Sequence, residues 1–382
     1  MNTKVYLAID LCKDYTQMAY FLGNMTEPES LTTIKGEQRY LIPTEASLEP
    51  HADKEQLKKF LFALIEKAKT MYSIQNIKDI VFTVEYPDGV LVNTIIDIMQ
   101  EYGIEREHVK VLGHSESLIY YILYQKKELW LNDVFVFDFS QTRFIVRRLS
   151  TIKSKRPSPI IVEEMELSSE FSIDMLETPE GRKEADKKLL HILIDLCREH
   201  IISTVFLTGI GFYDKWMEES VKFLCMKRRV FQGFNLFVKG ACYGLMDVDF
   251  LNREKDYQFV CSGRTLLNIE LEVEQGNKDG VVLLSGAGVN WYEAGAKTEG
   301  ILDDTYVLNL KILSSVSKKE SSVTIDLHSF PKRPNRTTRV EVILSYTSDR
   351  QCVVIVADMG FGDFYKSSGE HMKKIINVEE YL

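Results

Sequence analysis

The chain has 382 residues, 45% of them hydrophobic and 27% charged, which is the balance of an ordinary soluble globular protein with length for about two to three domains. Acidic side chains outnumber basic ones by 56 to 47, and the net charge of −9 argues against nucleic acid or an anionic membrane surface as the main partner. The six cysteines lie far apart with no CxxC pair and no zinc spacing, so they read as buried reduced thiols; no apolar run approaches the roughly 18 residues of a membrane span, and the expected location is the cytoplasm.

The chain enters a strand at residues 5–9, which ends in Asp10, breaks over Cys12, Lys13 and Asp14, and resumes through 18–21. An amphipathic helix follows the cap candidate Asp53, with Leu57, Phe60, Leu61, Leu64, Ile65, Ala68 and Met71 at helical spacing. A strand at 80–84, a loop holding Pro87, and a helix carrying Leu91, Val92, Ile95, Ile96 and Met99 come next, and Gly103 is a natural stop for that helix. The strand 109–113 then leads into a helix at 117–122.

The same order of parts recurs. Residues 134–137 form a strand that ends in Asp138, breaks over Ser140, Gln141 and Thr142, and resumes through 144–146. Residues 151–159 read as an exposed hairpin tip, and Leu189, Leu190, Ile192, Leu193, Leu196 and Cys197 form the matching helical stripe. The strand 205–208 precedes Gly209, Ile210, Gly211 and Phe212, and the strand 229–233 leads into the helix 236–241. The spacing between paired elements drifts as loops would while their order is kept, and a period this long means a duplicated domain, since solenoid units run about 20–50 residues. Strands that are apolar nearly throughout suit sheets covered on both faces by helices.

After about residue 251 helical periodicity gives way to short alternating strands at 306–312, 323–328, 340–346 and 352–356. The last two flank a polar turn and pair as a hairpin, so this part is a separate β-domain of sandwich type, with a tail from Gly369 too short for a helical subdomain.

Two similar α/β halves, each opened by a strand ending in aspartate and a strand hairpin, resemble the actin, hexokinase and heat-shock chaperone superfamily of ATPases. The order of elements in 80–125 is especially similar to a lidless DnaK-type chaperone, and the run Phe330, Pro331, Lys332, Arg333 and Pro334 before the strand 340–342 is similar to the entry of the chaperone's peptide-binding sandwich. The resemblance implies a duplicated actin-like (ribonuclease H-like) α/β fold over 1–250, with halves of about 1–128 and 129–250, followed by a β-sandwich-like domain over 251–382. It also implies ATP and magnesium between the halves. On that reading Cys12 and Lys13 lie in the first phosphate turn, Ser140, Gln141 and Thr142 in the second, and Gly209, Ile210 and Gly211 in the adenosine loop. Asp10 and Asp138 would act through magnesium, and His114, with Glu116 two residues on, stands where the chaperones place a carboxylate that positions water.

The chain departs from the superfamily where phosphate is held, because neither strand-turn-strand loop contains a glycine to let backbone N–H groups close on phosphate. Efficient hydrolysis is therefore not expected. The reading is a degenerate member acting as a binding or regulatory module for a protein or peptide partner. An active Mg-ATP-dependent chaperone-like ATPase is the alternative, and filament formation is a third. Each candidate also has a bland reading: Asp10 and Asp138 as turn formers, Gly209 and Gly211 as packing glycines, His114 as an interior histidine, Lys13 and Arg143 as solvated cations. Gly286, Gly288 and Trp291 read as a turn with an aromatic anchor, Gly360, Gly362 and Phe364 as a turn with exposed aromatics, and the basic run 332–339 as a solvated loop or a binding site.

Overall fold

The structure is a computed structural model that describes residues 5–23, 25–31, 41–72, 77–153, 157–233, 235–246, 256–274, 276, 278–303 and 305–382. The chain forms two compact units, Met1–Ser262 and Gly263–Leu382.

The first half of the first unit consists of β1 (Val5–Leu11), β2 (Tyr15–Leu22), β3 (Glu29–Ser30), β4 (Ile42–Pro43), α1 (Lys54–Tyr72), β5 (Ile77–Val84), α2 (Gly89–Tyr102), β6 (Val109–Gly113) and α3 (His114–Leu123). Its sheet has the order β3-β2-β1-β5-β6, with β4 on β2. The second half repeats this with β7 (Asp133–Phe139), β8 (Phe144–Thr151), β9 (Ser158–Glu166), α4 (Pro179–Glu199), β10 (Ile202–Thr208), α5 (Glu218–Cys225), β11 (Arg229–Gln232) and α6 (Leu236–Met246), in the sheet order β11-β10-β7-β8-β9. In both halves the opening strand pairs antiparallel with the second and parallel with the crossover strand. The registers match as well: Asp10 stands opposite Thr83, and Asp138 opposite Thr208. The duplicated α/β fold read from the repeat is the fold the chain adopts.

Strand alternation decides which residues face the centre. Tyr6 and Ala8 of β1 and Val134 and Val136 of β7 join one core with α3 and α6, whereas Phe135, Phe137 and Phe139 join a second, aromatic core under α4. Asp10 and Asp138 continue the first alternation and so emerge on the side of α3 and α6. These two helices pack closely because Gly240 has no side chain: a Cβ there would lie 2.0 Å from the carbonyl oxygen of Ser117.

The strand β12 (Tyr257–Val260) pairs parallel with β9 and extends the second sheet. The first compact unit runs to Ser262 and so includes this strand, which is hydrogen-bonded to β9. The expected boundary itself falls in residues 247–255, outside the described residues, as do residues 154–156 of the hairpin tip joining β8 and β9.

The second unit holds β13 (Leu267–Glu274), β14 (Asp279–Ser285), β15 (Gly295–Ile301), β16 (Val307–Ser314), β17 (Glu320–Asp326), β18 (Arg339–Ser348), β19 (Gln351–Gly360) and β20 (His371–Asn377). They form two antiparallel sheets, β14-β13-β16-β17 and β15-β18-β19-β20, around one core. The β18–β19 hairpin turns between Ser348 and Gln351. Trp291 is buried, as an anchor should be, and Phe364 is 87% exposed.

Two expectations need correction. The six cysteines are all free, but Cys225 is exposed at the end of α5, and Cys12, in the turn after β1, and Cys197, near the end of α4, are half-buried. The basic run is not simply solvated: the Arg333 side chain is only 6% exposed and makes a two-pronged pair with buried Asp358 at 2.7 and 2.8 Å. Among the described residues no helix is long and apolar enough to cross a membrane.

Candidate functional site

A cleft of about 740 Å³ lies in the first unit. It is lined by the first turn (residues 11–15), the segment 44–50, Glu85, His114, Asp138, the second turn (Ser140, Thr142, Arg143) and Phe237. The duplication positions these groups. His114 is the first residue of α3 and Phe237 the second of α6, and their rings stack at 4.0 Å with a 3° interplanar angle.

Asp10 is 1% exposed, and its Oδ1 lies 2.8 Å from His114 Nε2 and 3.5 Å from Cys12 Sγ. Burial first, then the negative charges of Asp10 and Asp138, hold the Cys12 thiol well above its ordinary pKa, so it is protonated and not an activated nucleophile. Asp138 is engaged differently. Its Oδ2 accepts from Nη1 of fully buried Arg147 at 3.0 Å, while Arg147 Nε reaches Glu164 at 3.4 Å. Burial alone would raise Glu164, but Arg147 and the hydroxyls of Ser115 and Ser262 outweigh it and hold the carboxyl below its usual range.

The two turns that resemble phosphate loops are bonded to each other. The Gln141 N–H donates to Asp14 Oδ2 at 3.2 Å, the Ser140 N–H donates to the Arg143 carbonyl at 2.8 Å, and the Arg143 N–H donates to Ser140 Oγ at 3.1 Å. The Arg143 guanidinium is held by Glu166 and Glu85, and Lys13 faces Glu49 at 3.6 Å. The cleft wall carries Asp14, Glu45, Glu49, Glu85, Asp88 and Asp138 against Lys13 and Arg143, an acidic surface.

The third loop lies elsewhere. Gly209, Ile210 and Gly211 do not line the cleft. Gly209 has φ +93°, and a Cβ on it would lie 2.3 Å from the Phe139 carbonyl oxygen; one on Gly211 would lie 2.3 Å from the Phe139 ring. Both glycines serve the approach of this loop to β7. Glu116 is buried and also does not line the cleft.

Sequence reasoning thus placed Cys12, Lys13, Ser140, Thr142, His114 and Asp138 on one cleft, with Asp10 and Gln141 bonded to its wall. It did not single out Glu85, Arg147, Glu164 or Phe237. A signal for Arg147 exists: it shares a strand face with Ile145, which lines the cleft, so a charge stands where alternation calls for an apolar residue.

No match to a curated protein was found. Among solved structures, the chain is similar to a glucokinase from Balamuthia mandrillaris in complex with glucose, at 9% identity and a TM-score of 0.40, over 63% of this chain and 93% of that one. The fold is read instead from strand order and register. Residues 264–378 match a domain of unknown function (DUF8552), in agreement with the second compact unit, and the heat-shock chaperone part of the resemblance finds no support in the matched families. Residues 45–262 match the model described as family of unknown function (DUF5716) C-terminal, and over this majority of its length the chain belongs to that family.

Proposed function

We propose that this protein is a binding or regulatory module built on a duplicated ATPase-type scaffold, with little or no ATP hydrolysis, and that its β-sandwich engages a protein or peptide partner. The observation that carries this reading is the bond from the Gln141 N–H to Asp14 Oδ2, in which a carboxylate of one turn takes the amide that a phosphate would need. Three further features support it. Asp138 is neutralised by buried Arg147, the glycines of the third loop are committed to packing on Phe139, and the acidic cleft wall repels a triphosphate. The residues present therefore do not fit Mg-ATP held in the manner of the superfamily. Each missing donor in a charge-stabilising cradle costs about 3 kcal/mol of transition-state stabilisation, so two occupied turns remove efficient catalysis. Six free cysteines, one of them exposed, suit a reducing compartment such as the cytoplasm.

Calorimetry and thermal melting with Mg-ATP test the proposal on the full chain. Neither binding heat nor a rise in melting temperature is expected. Saturable binding with phosphate release that Asp138→Asn abolishes in a folded protein would establish the alternative, a working ATPase.

A further inference from the structure

Three side chains of metal-binding type come together at the cleft, Cys12 and His114 from its lining and Asp10 just behind them, from the first turn, the start of α3 and the end of β1. Their ligand atoms form a triangle with sides of 2.8 Å (Oδ1 to Nε2), 3.5 Å (Oδ1 to Sγ) and 3.9 Å (Sγ to Nε2). Around a tetrahedral zinc ion with ordinary Zn–N, Zn–O and Zn–S lengths, the corresponding edges are about 3.4–3.6 Å. Side-chain movements of roughly half an ångström close the difference from those edges. The convergence is on one point, since Asp10 and Cys12 both address Nε2 of the same histidine. A nucleophile triad needs the opposite arrangement, with its acid and its thiol on the two different ring nitrogens.

We infer that Asp10, Cys12 and His114 form a binding site for a divalent transition-metal ion of zinc type, with its fourth position open to the cleft. The donor set of thiolate, imidazole and carboxylate selects zinc-like ions over magnesium or calcium, which take oxygen ligands. Asp14 lines the same cleft and adds negative charge to it, whereas Glu85 and Asp138 are already paired with Arg143 and Arg147. The geometry is fixed from both sides: the His114 ring lies flat on Phe237, and Asp10 is immobilised in a strand paired on both edges. Cys12 and His114 both line the cleft, so the remaining position meets whatever ligand enters there.

Binding moves protons in a defined way. The Cys12 thiol releases one proton to solvent, and the proton on His114 Nε2 transfers to Nδ1, freeing Nε2 for the metal. Nδ1 is buried without a hydrogen-bond partner among the described residues. A ligating histidine usually donates that proton to a supporting acceptor, so affinity here is lower, by roughly tenfold to a hundredfold, than in a site with such support. The inference rests on the preceding reading only in that the cleft is not committed to Mg-ATP.

Cobalt(II) is the probe, added to the purified, metal-stripped full chain, with zinc as competitor. One equivalent is expected to produce a thiolate-to-cobalt charge-transfer band and tetrahedral visible bands, both displaced by zinc. Cys12→Ser removes the charge-transfer band, and His114→Gln weakens binding by roughly tenfold or more. The inference is overturned if no band develops, or if folded Cys12→Ser keeps it, which would assign the metal to another thiol such as exposed Cys225. X-ray absorption of the wild-type zinc complex decides the matter even if a variant fails to fold: one sulfur among nitrogen and oxygen ligands is required, and none, or two or more, would refute the site. Mg-ATP binding with phosphate release would sink the earlier proposal while leaving the cobalt result standing, so the two failures are distinguishable.

Discussion

Two arginines, Arg147 in the first unit and Arg333 in the second, show how single residues set the local chemistry. Arg147 is fully buried between Asp138 and Glu164, and its removal would leave the mostly buried Asp138 carboxylate in the cleft wall without its cation, the kind of loss that costs up to about 3–5 kcal/mol. Arg333 plays the matching part in the β-sandwich. Its pair with Asp358, opposed by burial and reinforced by Ser368 and the Gly360 N–H, holds that carboxyl far below the ordinary range. Because the folded pKa lies below the unfolded one, the native state binds fewer protons there; the stabilisation is complete above about pH 4 and is lost as the pH falls toward the folded value. Urea unfolding between about pH 2 and 5 is expected to show a steep acid loss of stability in the wild type and a shallower one in Asp358→Asn. Parallel curves for the two proteins would place the acid sensitivity elsewhere. The run of basic residues was legible, but Asp358 lies 25 residues along the chain from Arg333, and nothing local announces the pair.

At the scale of elements, local chemistry explains most of what the chain does. Asp88 caps α2 by accepting from the N–H groups of Val90 and Leu91, Gly103 ends it at φ +95°, and Asp53 accepts from the Glu55 N–H at the start of α1. Such signals lie within a few residues of one another, and these helices were therefore readable in advance. The loop after β10 is a different case. A GxG after a strand fits either a ligand loop or close packing, and only the position of Phe139 discriminates. Gly209→Ala is expected to destabilise the protein by about 1–3 kcal/mol from backbone strain alone, with the steric conflict against Phe139 added to it. A change under about 0.5 kcal/mol in denaturant unfolding, the range of an ordinary surface substitution, would show that the loop has room to adjust and that packing is not why glycine stands there.

The whole molecule is a duplicated α/β unit and a β-sandwich, each with its own core. Residues 263–382 expressed alone are expected to melt cooperatively, and so are residues 1–262, whereas a fragment ending at residue 250 lacks β12 and should be less stable than one ending at 262. Equal stability of the two α/β fragments in urea would mean that β12 contributes nothing to the second sheet. The sequence by itself showed the opening and crossover strands of both halves, their helices, the doubling of the α/β half and the change to β-structure, because hydrophobic period, turn residues and repeated order are properties of neighbours in the chain, but it did not show β13, β14, β15 and β20. Only the tertiary structure decided the chemistry of the cleft. Gln141 and Asp14 are 127 residues apart and His114 and Asp10 are 104 apart, so the three metal-type ligands converge only once the first half has folded, and the bond between the two turns exists only once the halves have met.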